Sequence, residues 1–145
     1  EITLLPCTRP FLEFCRARRL PVYIASTVDP ETYASQAARF GWADYITRTY
    51  LGIENKAEKI HQILAENRLD SSRTLFVGDM EHDIEAGRAG GVRTCAVLSG
   101  YNHADKLRAM QPDLVCRDLG ELQAILAQTS SGGPKNARTL SPVTN

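Results

Sequence analysis

Thr74-Leu75-Phe76-Val77-Gly78-Asp79 constrains this chain more than any other stretch. An apolar, β-forming run enters a glycine and stops on an acid, and a second acid, Asp83, follows four positions later just as Ile84-Glu85-Ala86 opens a helix. A short apolar run bounded by turn residues reads as a buried parallel strand. In an open α/β sheet, ligands gather at the carboxyl ends of such strands. Gly78 permits a tight turn that presents Asp79 at the strand tip, and Asp83 returns beside it from the first turn of the helix. Two carboxylates held together repel unless a cation lies between them, and a hard ion such as Mg²⁺ suits them. The competing reading is a surface turn with solvated acids and a helix cap.

The rest of the chain repeats that alternation. A helix with Thr8 as cap and Pro10 in its first turn carries Phe11, Leu12 and Cys15, and Pro21-Val22-Tyr23-Ile24-Ala25 is a second buried strand. It ends on Ser26-Thr27, and Asp29-Pro30 then cap and open a helix that stops at Gly41. A hydroxyl pair at a strand tip, just before a helix N-terminus, is a reasonable seat for a phosphate oxygen; Ser and Thr are also ordinary turn formers.

A short strand is expected near Tyr45-Ile46-Thr47. Asn55, with Glu58 three residues on, is a capping-box-like start. It puts Lys56 at the first helical position, where a cation opposes the helix dipole. A broken local rule of this kind points to a functional site, with Lys59 as the rival and a solvated lysine as the alternative for either. After the Gly90-Gly91 stop come a strand over Arg93–Leu98, a helix over His103–Met110, a strand over Asp113–Cys116 and a helix over Leu119–Ala127. The alternation calls for a three-layer α/β fold: an open parallel sheet with helices on both faces.

At 145 residues there is length for one domain with a real core. Residues 1–128 are expected to be that core. The Ser-, Gly-, Pro- and Thr-rich 129–145 are expected to be a disordered tail. Basic and acidic residues balance at 17 each, so no global field favours nucleic acid or an acidic membrane. No apolar run approaches the roughly 20 residues of a membrane span. Cys7, Cys15, Cys95 and Cys116 show no metal-finger spacing and read as reduced thiols of a cytoplasmic protein. His61, His82 and His103 are not spaced as a ligand cluster; only His82 lies beside the acidic pair.

Taken in order, these pieces resemble the haloacid dehalogenase-like (HAD) phosphohydrolases, especially the phosphoglycolate phosphatase type. Val22-Tyr23-Ile24-Ala25-Ser26-Thr27 resembles the family's second motif, Asn55-Lys56-Ala57-Glu58 its third, and Phe76 to Val92 its fourth. Pro112-Asp113-Leu114-Val115 and Leu119-Gly120-Glu121-Leu122 are similar to its usual ending. The resemblance implies a Mg²⁺-dependent phosphatase acting on a small phosphorylated metabolite, phosphoglycolate among the candidates. Ser26 and Thr27 would bind phosphate. Lys56 would neutralise its charge and steady the nucleophile, and Asp79 with Asp83 would hold the metal.

One departure is plain. The family's first motif, an Asp-x-Asp pair on the first strand, occurs nowhere in this sequence. The family's helical cap domain, which commonly shapes substrate choice, has no counterpart here either. Without its nucleophile this chain is expected to be poorly active alone. In the family that first strand is the middle of the sheet, so its absence leaves two buried strand edges facing each other. Each unpaired buried backbone group costs about 1–3 kcal/mol. Expected fillers are Glu1 to Leu5 folded back, a strand from another subunit of a homo-oligomer, or an upstream N-terminal segment. Two other functions stay open: a non-catalytic phosphate- or Mg²⁺-binding module, and an interaction module that pairs through its sheet edges.

Overall fold

The computed structural model describes residues 7–98, 104–129 and 138–140. Helices α1 (Thr8–Ala17), α2 (Pro30–Phe40), α3 (Lys56–Glu66), α4 (Glu81–Ala89), α5 (Ala104–Ala109) and α6 (Leu119–Thr129) alternate with strands β1 (Val22–Ala25), β2 (Arg48–Tyr50), β3 (Thr74–Gly78), β4 (Arg93–Val97), β5 (Leu114–Cys116) and β6 (Arg138–Leu140). The strands form one sheet in the order β2-β1-β6-β3-β4-β5. Every pairing in it is parallel. The α/β fold expected from the sequence is therefore the fold observed.

Alternation along the strands sorts the core into two layers. Val22 and Ile24 of β1 and Val77 of β3 join Cys95, Val97 and Cys116 in one cluster with Phe11, Leu12 and Cys15 of α1, Tyr33 and Ala37 of α2 and Leu122 of α6. Tyr23 and Ala25, and Phe76 of β3, face the other way. They pack with Ile60 and Ile63 of α3 and Ala86 of α4. Ile84, Ala96 and Leu107 make a third, smaller cluster. The helix ends follow local chemistry. Asp29 accepts the Thr32 N–H at 2.9 Å and Gly41 ends α2 at φ 69°, while Asn55 accepts the Glu58 N–H at 3.1 Å and opens α3 at Lys56.

Three local expectations are corrected. Residue Cys7, at φ 67°, precedes α1 in the capping position, and Thr8 is already helical. Ala43–Tyr45 is a 3₁₀ turn, and the strand lies three residues later than expected, at Arg48–Tyr50. Thr47 explains the shift. Its N–H donates to the Val22 carbonyl at 2.8 Å and its Oγ1 accepts from the Val22 N–H at 3.2 Å. These bonds set the register Tyr23↔Arg48 that carries β2 along β1.

The third correction lies in the middle of the sheet. Part of the 129–145 segment expected to be disordered is strand β6, and β6 occupies the place between β1 and β3. Thr139 pairs with Val22 and Leu75, and Leu140 with Tyr23 and Phe76. The chain's own C-terminal residues thus fill the slot, where the sequence pointed to Glu1–Leu5, another subunit or an upstream segment. The physical reason is the one that demanded a filler. Val22 and Phe76 are buried, at 0% and 1% exposure, so their backbone groups need partners away from water. Residues Glu1 to Leu5, and His103 ahead of α5, lie outside the described residues.

Candidate active site

Ser26, Lys56, Asp79 and Asp83 come from three places in the sequence and meet at the carboxyl end of the sheet. Ser26 directly follows β1 and Asp79 directly follows β3. Leu140 pairs with both Tyr23 and Phe76, so Ser26 and Asp79 stand level on either side of the middle strand.

Backbone bonds between two loops bring Lys56 in. The Ser26 N–H donates to the Tyr50 carbonyl at 3.0 Å, the Ile53 N–H to the Ser26 carbonyl at 3.1 Å, and the Gly52 N–H to the Val28 carbonyl at 2.7 Å. These bonds lock the loop after β2 against the loop after β1, and α3 starts from the locked end. Nothing in the residue types of Tyr50 to Ile53 announces this role. Ser26 is buried at 1% exposure, and its hydroxyl accepts the Val28 N–H at 3.1 Å. Thr27 beside it is exposed.

The misplaced cation at the start of α3 now has its explanation. Lys56 Nζ donates to Asp83 Oδ1 at 2.7 Å, with side-chain exposures of 12% and 2%. An ammonium has three donors, so this bond leaves capacity for an anion. Lys59, the rival lysine, bonds Gln62 Oε1 of its own helix at 2.9 Å. Asp83 lies in the first turn of α4, where an acid suits the dipole, and its Oδ2 accepts the Met80 N–H at 3.2 Å. His82 Nε2 approaches Asp83 Oδ1 at 3.7 Å from an exposed position.

Asp79 is the unusual group. It is 1% exposed, and neither carboxylate oxygen has a hydrogen-bond partner. Burial, and secondarily the charge of Asp83, raise its pKa from 3.8 to about 6. A buried carboxylate without donors is unstable as an anion, and a hard cation supplies what is lacking. The residues present therefore fit a divalent ion, with Asp79 as its foremost ligand, although no group of three or more His, Cys, Asp or Glu residues gathers at one point among those described.

A family model described as HAD-hydrolase-like matches residues 55–122. Over that stretch the chain is similar to HAD-like hydrolases, phosphoglycolate phosphatases among them. A phosphoglycolate phosphatase from Pectobacterium atrosepticum is 27% identical over 117 residues, covering 77% of this chain and 50% of that protein. The HAD-like chain thus spans about half the length of the curated relative it matches. A haloacid dehalogenase-like family hydrolase from Streptococcus pneumoniae superposes with a TM-score of 0.75 at 25% identity, over 86% of this chain and 60% of that one. A HAD-hydrolase from Bacillus subtilis, solved with bound magnesium, superposes with a TM-score of 0.72 at 18% identity, over 86% of this chain and 56% of that one. Among the described residues, no helix of this HAD-like chain is long and apolar enough to cross a membrane.

Proposed function

We propose that this chain is the core part of a Mg²⁺-dependent HAD-like phosphatase acting on a small phosphorylated metabolite, with phosphoglycolate the first substrate to test. The observation that carries the reading is the buried, unpartnered carboxylate of Asp79 beside the Lys56–Asp83 pair. In this reading Asp79, helped by Asp83, holds Mg²⁺, which when bound neutralises charge on a phosphoryl group. Ser26 and the Thr27 backbone orient the phosphate. Lys56 holds Asp83 in place with one N–H and turns its remaining donors to phosphate. Phosphoryl transfer asks for positioning and charge neutralisation more than elaborate covalent chemistry, and these residue types supply both.

No Asp-x-Asp pair occurs in the sequence, and that favours a second reading, a module that binds Mg²⁺ and phosphate without turnover. Both readings expect Mg²⁺ to raise the melting temperature and Asp79→Ala to abolish the rise. Turnover of an aryl phosphate separates them. The phosphatase reading expects a longer version of this protein carrying an Asp-x-Asp strand to hydrolyse it, with Asp79→Ala inactive. If such a version binds Mg²⁺ and leaves every phosphate ester intact, the phosphatase reading is wrong and the binding module stands.

A further inference from the structure

Two arginines of α1 share one ring. Arg9 and Arg16 lie about two turns apart and so on the same flank of the helix. Their guanidinium carbons stand 6.0 and 5.3 Å from the ring centroid of Tyr45, in the 3₁₀ turn Ala43–Tyr45. Beside them Arg39, in the last turn of α2, lies over Phe40 at 5.1 Å, and Phe40 stacks on Trp42 at 5.6 Å. Cation–π contacts occur roughly once per 70–80 residues, and here three meet between α1 and the end of α2. Arg9 has a structural reason to be there. Its Nη2 donates to the Phe40 and Gly41 carbonyls at 2.7 and 3.3 Å, which serves the open C-terminal end of α2. Arg16 has no such reason. Both arginines are exposed, and neither has a carboxylate partner among the described residues. Glu13, between them in sequence, pairs with neither. Two like charges brought to one ring repel, and an anion between them relieves that.

We propose that the flank of α1 facing Tyr45 docks an acidic segment of a partner protein, with a carboxylate seated between Arg9 and Arg16. A guanidinium offers a planar fork of donors that fits a carboxylate bidentately, and stacking on a ring holds that fork ready. Arginine beside aromatic rings is also the composition that dominates binding between proteins. Two observations speak against a nucleic acid on this face. Acidic and basic residues balance at 17 each, so no general field gathers a polyanion. Single strands bind by stacking bases on aromatic rings, but Tyr45 and Phe40 pack against the core on one side and carry guanidinium groups on the other. The surface therefore presents guanidinium edges and not ring faces. This inference goes beyond the phosphatase reading and does not depend on it, because it uses none of Ser26, Lys56, Asp79 and Asp83.

The test is fluorescence anisotropy of a labelled synthetic peptide of glutamate–glutamate–leucine repeats, titrated with the full chain at physiological salt. Arg16→Gln removes the exposed charge and leaves the Arg9 bonds to α2 in place. Arg108→Gln removes the same charge from α5, whose Leu107 packs on Ile84 of α4, away from α1. Circular dichroism checks that each variant is folded. The expected result is saturable binding to the parent chain, unchanged in Arg108→Gln and about tenfold weaker in Arg16→Gln. Arg16→Glu should lose the acidic peptide and gain affinity for a lysine–lysine–leucine version of it. Mg²⁺ binding at Asp79, read separately, stays unchanged, so failure here leaves the phosphatase reading untouched. No saturable binding to the parent chain would overturn the proposal, as would equal affinity for the parent and Arg16→Gln. A loss in Arg108→Gln as large as in Arg16→Gln would also overturn it, since net charge and not this face would then be responsible. A single-stranded oligonucleotide or an anionic phospholipid vesicle that binds more tightly, and is lost in Arg16→Gln, would overturn the choice of partner. So would a dimer of the parent chain that Arg16→Gln dissociates.

Discussion

Gly78 and Asp83 compete for one space: a Cβ on Gly78 would stand 2.3 Å from the Asp83 Cβ and 2.7 Å from its Oδ2. The glycine is what lets the first turn of α4 fold its acid back over the tip of β3. Gly78→Ala forces Asp83 away, and because the clash is with a Cβ, a simple rotamer change does not relieve it. Such overpacking costs about 1–3 kcal/mol. Urea unfolding should show a lower midpoint at unchanged slope, and the stabilisation by Mg²⁺ expected of the parent chain should be lost in the variant.

Removing Lys56 leaves Asp83 as a buried charge without its ammonium. Breaking such a pair from one side costs about 3 kcal/mol. Lys56→Met should therefore destabilise strongly, and Lys56→Met combined with Asp83→Asn should recover part of the loss. A double-mutant cycle on the two positions measures the coupling. Additive effects would mean that the 2.7 Å contact contributes nothing.

Asp79 makes stability depend on pH in a direction opposite to most acids. Its folded pKa, about 6, lies above its ordinary 3.8. Between those values the folded chain holds a proton that the unfolded chain releases, so without divalent ions stability falls as pH rises from about 4 to about 6. Asp79→Asn should remove that slope. Added Mg²⁺ should stabilise above about pH 6 and lose its effect below, where the proton competes for the same oxygens. EDTA should reverse the gain. Differential scanning calorimetry across this range checks all of these.

Gly87 tests whether the site depends on how α4 sits. A Cβ there would approach Thr94 Cγ2 at 2.6 Å and Phe76 Cδ2 at 3.1 Å. Gly87→Val should push α4 off β3 and β4, lowering stability by about 1–3 kcal/mol. It should also weaken Mg²⁺ binding, though Gly87 touches neither acid. Calorimetric titration that finds the parent affinity would show the strand tip, and not the helix, to be the element that aligns the acids.

The strands with apolar runs and the helices with polar caps were legible because their causes are local. Asp29, Asn55, Gly41 and the Gly90-Gly91 pair each act within a few residues of where they stand. Lys56 was legible for a different reason: a cation at a helix start is an anomaly, and its remedy, Asp83, lies 27 positions away. What could not be read depends on pairings across the sheet. Tyr45-Ile46-Thr47 is as good a strand sequence as Arg48-Thr49-Tyr50, and only the bonds between Thr47 and Val22 choose between them. Arg138-Thr139-Leu140 carries no mark of a buried strand. Its place is defined by the two edges it lies between, not by its own residues. The unpartnered oxygens of Asp79 were invisible too, because an orphaned acceptor is a property of its surroundings.

The order of the strands also sets a clock. Val22 leaves the ribosome long before Thr139, its partner in the middle of the sheet. Neighbouring pairs such as β1 with β2, or β3 with β4, close over short stretches of chain and can form during synthesis. The joint between those two halves cannot close until nearly all of the described chain has emerged. Until β6 arrives, the β1 and β3 edges that it covers lack this partner, and apolar edges are the kind of surface on which nascent chains associate wrongly. Synthesis therefore leaves a period in which chaperone contact is most needed, and for this joint it closes when β6 emerges.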